Sequence, residues 1–190
     1  MSKQEFGTVK EQKQEAPKET PKMLYNFLGN SGLKVSRMGY GNWVNSNDPE
    51  AQNKMTAMVK RAWDHGINFF DTAETYAKGQ AERQMGIALA ALNVPREQLV
   101  VSTKLFWGKK GGVNNHGLSH KHIVEGMKHS LENLKLEYVD VVFCHRPDHA
   151  TGLLETCRAM NHLIEEGYTF YWGTSEWSAA WIRKAIEICD

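Results

Sequence analysis

Apolar and polar positions along this chain alternate between short β-prone runs and longer stripes at helical spacing. The first such stretch, "LYNFLGNSGLKVSRMG", holds two β-prone runs separated by Asn30-Ser31-Gly32, turn-forming residues that predict a hairpin. A short apolar run at Met38 to Tyr40 comes next. Met55, Met58, Val59 and Ala62 then recur at helical spacing until Gly66 supplies a stop. "INFF" predicts a strand that ends at Asp71, and Met85, Ala88, Leu89 and Leu92 share one face of the helix that follows. The β-branched "LVVSTK" is a further strand. After a glycine-rich loop, Ser119 caps a helix striped by Ile123, Met127, Leu131 and Leu134. "YVDVVFCH" is the next strand, and the helix after it is marked by Leu153, Cys157, Met160 and Ile164 and closed by Gly167. "YTFYWGTS" is the fifth strand, and Ser178 caps a last helix bearing Ile182, Ala185, Ile186 and Cys189.

A hairpin followed by five βα units on short links predicts a parallel sheet with helices outside it. The pattern alone leaves two architectures open, a doubly wound open sheet and part of a (βα)8 barrel.

Composition narrows the class. The 190 residues are 41% apolar and 10% aromatic, enough for the core of one soluble globular domain. Residues 1–22 stand apart: five lysines, four glutamates and two prolines with almost nothing to bury predict a disordered polar tail, leaving 23–190 as the folded domain. A net charge of +1, from 23 basic and 22 acidic residues spread along the chain, leaves no basic footprint for nucleic acid. Three cysteines without a CxxC pair fit a reducing compartment, so a cytoplasmic location is expected. Neither a membrane-spanning run nor the apolar core of a signal peptide is visible, and no direct membrane insertion is expected.

Ligands of parallel βα arrays sit at the carboxyl ends of the strands. There the sequence places Asp71, with Tyr76 in the loop after it, then Lys104, His145 and Thr174-Ser175. Tyrosine has an ordinary pKa of about 10, and a neighbouring ammonium favours its phenolate, which makes the phenol a usable proton donor. Asp71 would hold Lys104 in place and charged. Other features carry less. Gly39-Tyr40-Gly41 lacks the third glycine of a dinucleotide fingerprint and reads as a turn. His116, His120 and His122 match no standard zinc spacing, so no metal site is expected. "GKKGGVNN" reads as a solvated loop rather than a phosphate cradle.

The stretches "GINFFDTAETYAKGQAE", "STKLFWG", "GLSHKHIVEGMKHSLENLKLEYVDVVFCHRPD" and "YWGTSEWSA" resemble the aldo-keto reductase superfamily. Within it the branch of voltage-gated potassium channel β subunits is the most similar, in its plant and fungal form. The resemblance runs from about Met23 onward. It implies a TIM barrel whose bottom is plugged by the hairpin, and NADPH-dependent reduction of small carbonyl substrates, aldehydes and ketones. The family's catalytic tetrad falls on Asp71, Tyr76, Lys104 and His145, with Trp43, Asp71 and Ser175 at the cofactor. Some animal channel subunits have asparagine where this chain keeps His145. Asn42 stands where threonine is usual, and the loop from Asn45 to Asp48 is shorter than the animal pattern. As partners the resemblance implies a potassium channel α subunit and a homotetramer, which would place the protein peripherally at the membrane through the channel complex. A non-catalytic regulatory subunit and an inactive truncated remnant are the alternatives.

A (βα)8 barrel typically needs about 250 residues. With five units of eight, the chain is expected to be a fragment, a product that ends early, or a half-barrel completed by another chain, with apolar strand edges left open.

Overall fold

The computed structural model describes residues 22–43, 50–108 and 112–189. Most of the expected polar tail, the Asn45–Asp48 loop and part of "GKKGGVNN" lie outside them. The hairpin is formed by β1 (Tyr25–Phe27) and β2 (Lys34–Ser36), antiparallel with Tyr25 opposite Ser36. Its turn closes through Leu28 N–H to Leu33 O and the Ser31 hydroxyl to Leu28 O, both at 2.8 Å.

Five parallel strands follow: β3 (Gly39–Gly41), β4 (Phe69–Asp71), β5 (Val100–Leu105), β6 (Val139–Cys144) and β7 (Thr169–Thr174). They pair in chain order, β3-β4-β5-β6-β7, with no reversal. A doubly wound sheet reverses its strand order at a switch point, so the observed order selects the barrel arrangement, in which every crossover places its helix on the same side. Those helices are α1 (Ala51–Asp64), α2 (Gln80–Ala90), α3 (His120–Leu134), α4 (Leu153–Glu165) and α5 (Ala179–Cys189), each packed on the next.

The expected turn at Gly39-Tyr40-Gly41 is a strand. Glycine is a poor strand former, but a Cβ at Gly39 would come within 2.9 Å of the Phe69 ring on the neighbouring strand. The missing side chain makes room for that ring, and pairing with β4 outweighs local propensity.

The hairpin docks at the amino-terminal end of β4. Ser36 N–H donates to Asn68 Oδ1 (2.7 Å), Asn68 N–H donates to Ser36 Oγ (3.1 Å), and the Tyr25 hydroxyl reaches Gly66 O (2.7 Å). At the same end of the sheet, Asp140 accepts from Arg96 Nη2 (2.6 Å) and from Val101 N–H (2.8 Å).

Behind the sheet, Phe70, Met85, Leu105, Ile123, Met127, Leu134, Met160 and Leu163 form the fully buried core. Met55, Val59 and Ala62 face it from α1, whereas Met58, one helical position off that stripe, is 50% exposed. The α3 stripe is as expected, and Ser119 Oγ accepts from His122 N–H as its cap (3.2 Å). A buried carboxylate bridges three elements: Glu82 on α2 accepts from Thr103 Oγ1 of β5 (2.7 Å) and Asn133 Nδ2 of α3 (2.9 Å). Burial pushes its pKa up, against the pull of those bonds. Ile182 and Ile186 on α5 are partly open to solvent beside Trp172 and Cys189, framing an apolar groove of about 290 Å³ along β7, an edge strand of the sheet.

Helices α2 and α3 meet backbone to backbone. A Cβ added at Gly86 would lie 2.2 Å from the Leu134 carbonyl oxygen, with no flexible side chain available to yield. Gly86→Ala should therefore force the two helices apart and cost about 2–3 kcal/mol, read as a lowered midpoint in thermal denaturation. An unchanged midpoint would show that the helices separate freely.

Candidate active site

Successive strands deliver their last residues to one end of the sheet, and the register fixes which of them meet. Gly41 lies opposite Asp71, Asp71 opposite Ser102, and Lys104 opposite Phe143. Side chains alternate along a strand, so Ser102 and Lys104 share the face that carries Asp71, while Thr103 turns back to Glu82 among the helices. Asp71 Oδ1 accepts from the Ser102 hydroxyl (2.6 Å) and Oδ2 accepts from Lys104 Nζ. Lys104 Nζ also donates to Thr72 O at 2.9 Å. Beyond the strands the pairing continues as single bonds: Thr72 N–H to Ser102 O, His145 N–H to Leu105 O and Ser175 N–H to Cys144 O, each at 3.0 Å.

Tyr76 follows β4 on a constrained turn. Ala77 (φ 47°), Lys78 (φ 57°) and Gly79 (φ 86°) are three consecutive residues in the left-handed region, which only the last adopts without cost. Glu74 anchors this turn to the loop after β5: its Oε1 accepts from Phe106 N–H (2.6 Å) and Gly108 N–H (2.9 Å) and lies 3.3 Å from His122 Nε2. The result sets Lys104 Nζ 5.2 Å from the centre of the Tyr76 ring and the His145 ring edge-on to it at 5.7 Å.

Trp43, Thr75, Tyr76, Ala77, Trp107, His145 and Arg146 line one cleft of about 450 Å³. Trp43 is 72% exposed on its wall, a placement that makes no sense for core packing and suits a flat ligand. His145 is buried, and its Nδ1 has no hydrogen-bond partner among the described residues. A buried lone pair is tolerated better than an orphaned N–H, so the proton belongs on Nε2, the nitrogen left open to the cleft. Burial first, then the positive charges of Lys104 and Arg146, push the His145 pKa down to about 4, against a smaller opposing pull from Glu74 and Asp71.

The six site residues expected from the sequence thus fall into one constellation. Trp43, Tyr76 and His145 line the cleft, the Asp71–Lys104 pair lies behind Tyr76, and Ser175 sits within reach of Arg146 Nη1 at 3.4 Å. Sequence reasoning passed over Ser102, Glu74, Trp107 and Arg146. The fixed strand register was the only signal for Ser102; Arg146 was visible directly after His145 in "CHRPD". The three histidines of the α3 region scatter: His122 faces Glu74, His120 lies against His162 and His116 against Phe106. Asn42 is buried and donates from Nδ2 to Ala81 O (2.8 Å), tying the end of β3 to α2.

A parallel sheet in chain order, with an acid, lysine, tyrosine and histidine gathered at its carboxyl end, defines an α/β protein of the TIM-barrel type, here a partial barrel. Residues 37–189 match the Aldo/keto reductase family, and the chain belongs to it. It is 52% identical over 168 residues to a probable voltage-gated potassium channel subunit beta of Arabidopsis thaliana, and 51% identical to the corresponding protein of Oryza sativa subsp. japonica. Each match covers 88% of this chain and 51% of the relative, so the chain spans about half their length. The fold is also similar to a thermostable aldo-keto reductase solved in complex with the inhibitor epalrestat, with a TM-score of 0.77 and 28% identity over 87% of this chain and 58% of that one. Among the described residues no helix is long and apolar enough to cross a membrane.

With its pKa near 4, His145 stays neutral across the physiological range, and its ring signals in NMR should be flat between pH 5.5 and 8. The unfolded chain takes this proton near the ordinary 6.5, so the native state binds fewer protons and loses stability as pH falls from about 6.5 toward 4. Urea midpoints at pH 7 and 5 should diverge more for the natural protein than for His145→Asn. A ring titrating near 6.5 would contradict the burial.

Proposed function

We propose that the complete protein reduces small aldehydes and ketones with NADPH, and that it does so as a cytoplasmic β subunit of a voltage-gated potassium channel. The observation that carries the enzymatic reading is the placement of Tyr76 and His145 on one cleft with the Asp71–Lys104 pair directly behind the tyrosine.

The residues fit a nicotinamide cofactor, which aldo/keto reductases use as NAD(P)H. Trp43 offers an exposed indole face on the cleft, Ser175 a hydroxyl at its edge, and Asp71 a carboxylate at the strand end between them. When bound, NADPH supplies a hydride to the carbonyl carbon. Tyr76 gives its hydroxyl proton to the carbonyl oxygen, so the product is the alcohol and the tyrosine is left as phenolate. Lys104, held by Asp71 and Thr72 O with its Nζ 5.2 Å from the centre of the Tyr76 ring, favours that phenolate through its charge. His145 donates from Nε2 to the same oxygen as charge develops on it, a preorganised contribution that the neutral Nε2–H tautomer supplies. Glu74 acts at one remove by fixing the loop that carries Trp107, the opposite wall.

Identities of 52% and 51% to two proteins named as probable voltage-gated potassium channel subunits beta support the regulatory part of the reading, and a channel α subunit and a homotetramer are the partners it entails. A protein that only regulates the channel would keep the cleft without turnover.

The deciding experiment is Tyr76→Phe. Turnover of 4-nitrobenzaldehyde should fall by about 10²–10⁴-fold, while the Kd for NADPH, followed by its fluorescence, stays unchanged. Undiminished turnover would remove Tyr76 from the acid role.

A further inference from the structure

Among the described residues, Arg146 is the single charged side chain lining the cleft. Nη1 donates to the backbone oxygen of His145 (2.6 Å) and reaches Ser175 Oγ (3.4 Å). These bonds anchor one arm of the guanidinium. The other arm, Nη2, is 3.4 Å from Glu176 Oε1, a side chain 70% exposed and only loosely held. A guanidinium has five N–H donors, so Nε and most of Nη2 remain available. A half-buried fork with one weakly held carboxylate on it is a site where one carboxylate can replace another at little desolvation cost. The planar fork of this guanidinium matches the two oxygens of a carboxylate.

We infer that Arg146 is a specificity-determining contact which selects carbonyl substrates bearing a carboxylate a few carbons from the reacting group, with Glu176 as the counter-ion that the substrate displaces. This rests on the reductase reading, because it places the anion on the same molecule as the carbonyl held by Tyr76 and His145. A neutral aldehyde leaves Arg146 with Glu176 and gains nothing from it. An oxo-acid exchanges the exposed ion pair for a charge-assisted one inside the cleft.

The test compares 4-oxobutanoate with butanal, two aldehydes of equal chain length, in the purified natural protein, Arg146→Met and Glu176→Gln. Natural protein should prefer the oxo-acid by about 10- to 100-fold in kcat/KM. That ratio should collapse toward one in Arg146→Met and rise in Glu176→Gln, and it should shrink with ionic strength. Using the ratio within each variant cancels any general damage from losing the bond to His145 O. A ratio unchanged in Arg146→Met overturns the inference, and a weakened Kd for NADPH with an unchanged ratio assigns the guanidinium to a cofactor phosphate instead. If neither aldehyde is reduced, the reductase reading fails. Calorimetric titration with succinate then decides the anion contact separately: weaker binding in Arg146→Met upholds it, and equal binding overturns it.

Discussion

The carboxylate of Asp71 is the point on which the rest of the site depends. It sits at the last position of β4 opposite Ser102 of β5, and both of its oxygens are engaged from that neighbour, by the Ser102 hydroxyl and by Lys104 Nζ. A lysine withdrawn this far from water is costly unless it is paired and hydrogen-bonded, and here Thr72 O completes its partners. The pair holds a positive charge at a fixed distance from the Tyr76 ring without leaving either ion unmatched. It also reaches His145, where the nearby ammonium joins burial in keeping the imidazole neutral. Two strands in register therefore shape the surroundings of both Tyr76 and His145.

What could be read in advance follows from which forces are local. Asp71, Lys104, His145 and Ser175 were legible because each ends a β-branched or aromatic run, and strand ends are where parallel arrays place polar groups. The α3 stripe was legible because its four apolar positions, Ile123, Met127, Leu131 and Leu134, keep helical spacing and Ser119 stands at the right offset to cap it. Gly39-Tyr40-Gly41 read as a turn because glycine carries little β signal, and it is a strand through its pairing with β4, where the missing Cβ of Gly39 leaves room for the Phe69 ring. Met58 was misread because an apolar residue at i+3 looks as good as one at i+4 until the neighbouring helix chooses the face. Arg146 and Glu74 escaped notice because their partners, backbone and side chain alike, are brought near mainly by the folded loops.

The long loop between β5 and α3 is secured from both sides. Glu74 holds its start through Phe106 and Gly108, while Asp148, in the loop after β6, accepts from Leu118 N–H (2.7 Å) at its end. A Cβ at Gly117, whose φ is +91°, would meet Asp148 Oδ2 at 2.7 Å, so the strap closes only over a glycine. Burial and these hydrogen bonds pull on the Asp148 pKa in opposite senses, and the bonds prevail, holding it below the usual carboxylate range. Trp107 is thereby a fixed wall of the cleft rather than a residue on a free loop.

The strands also pair strictly in chain order, each βα unit resting on the unit before it and the unit after it. Each pairing closes a loop that contains a whole helix, as between Phe69 and Val100 or Ser102 and Val141, so the sheet pays loop-closure entropy at every unit. Pairing in chain order also means that Trp43, Asp71, Tyr76, Lys104, His145 and Ser175 all come from one uninterrupted block of consecutive units. A polar set of this kind, which could have been gathered from distant parts of a chain, is here written in a single passage of sequence. A duplication, fusion or recombination that kept this passage whole would carry the entire polar set with it, and one that cut between β4 and β6 would divide it.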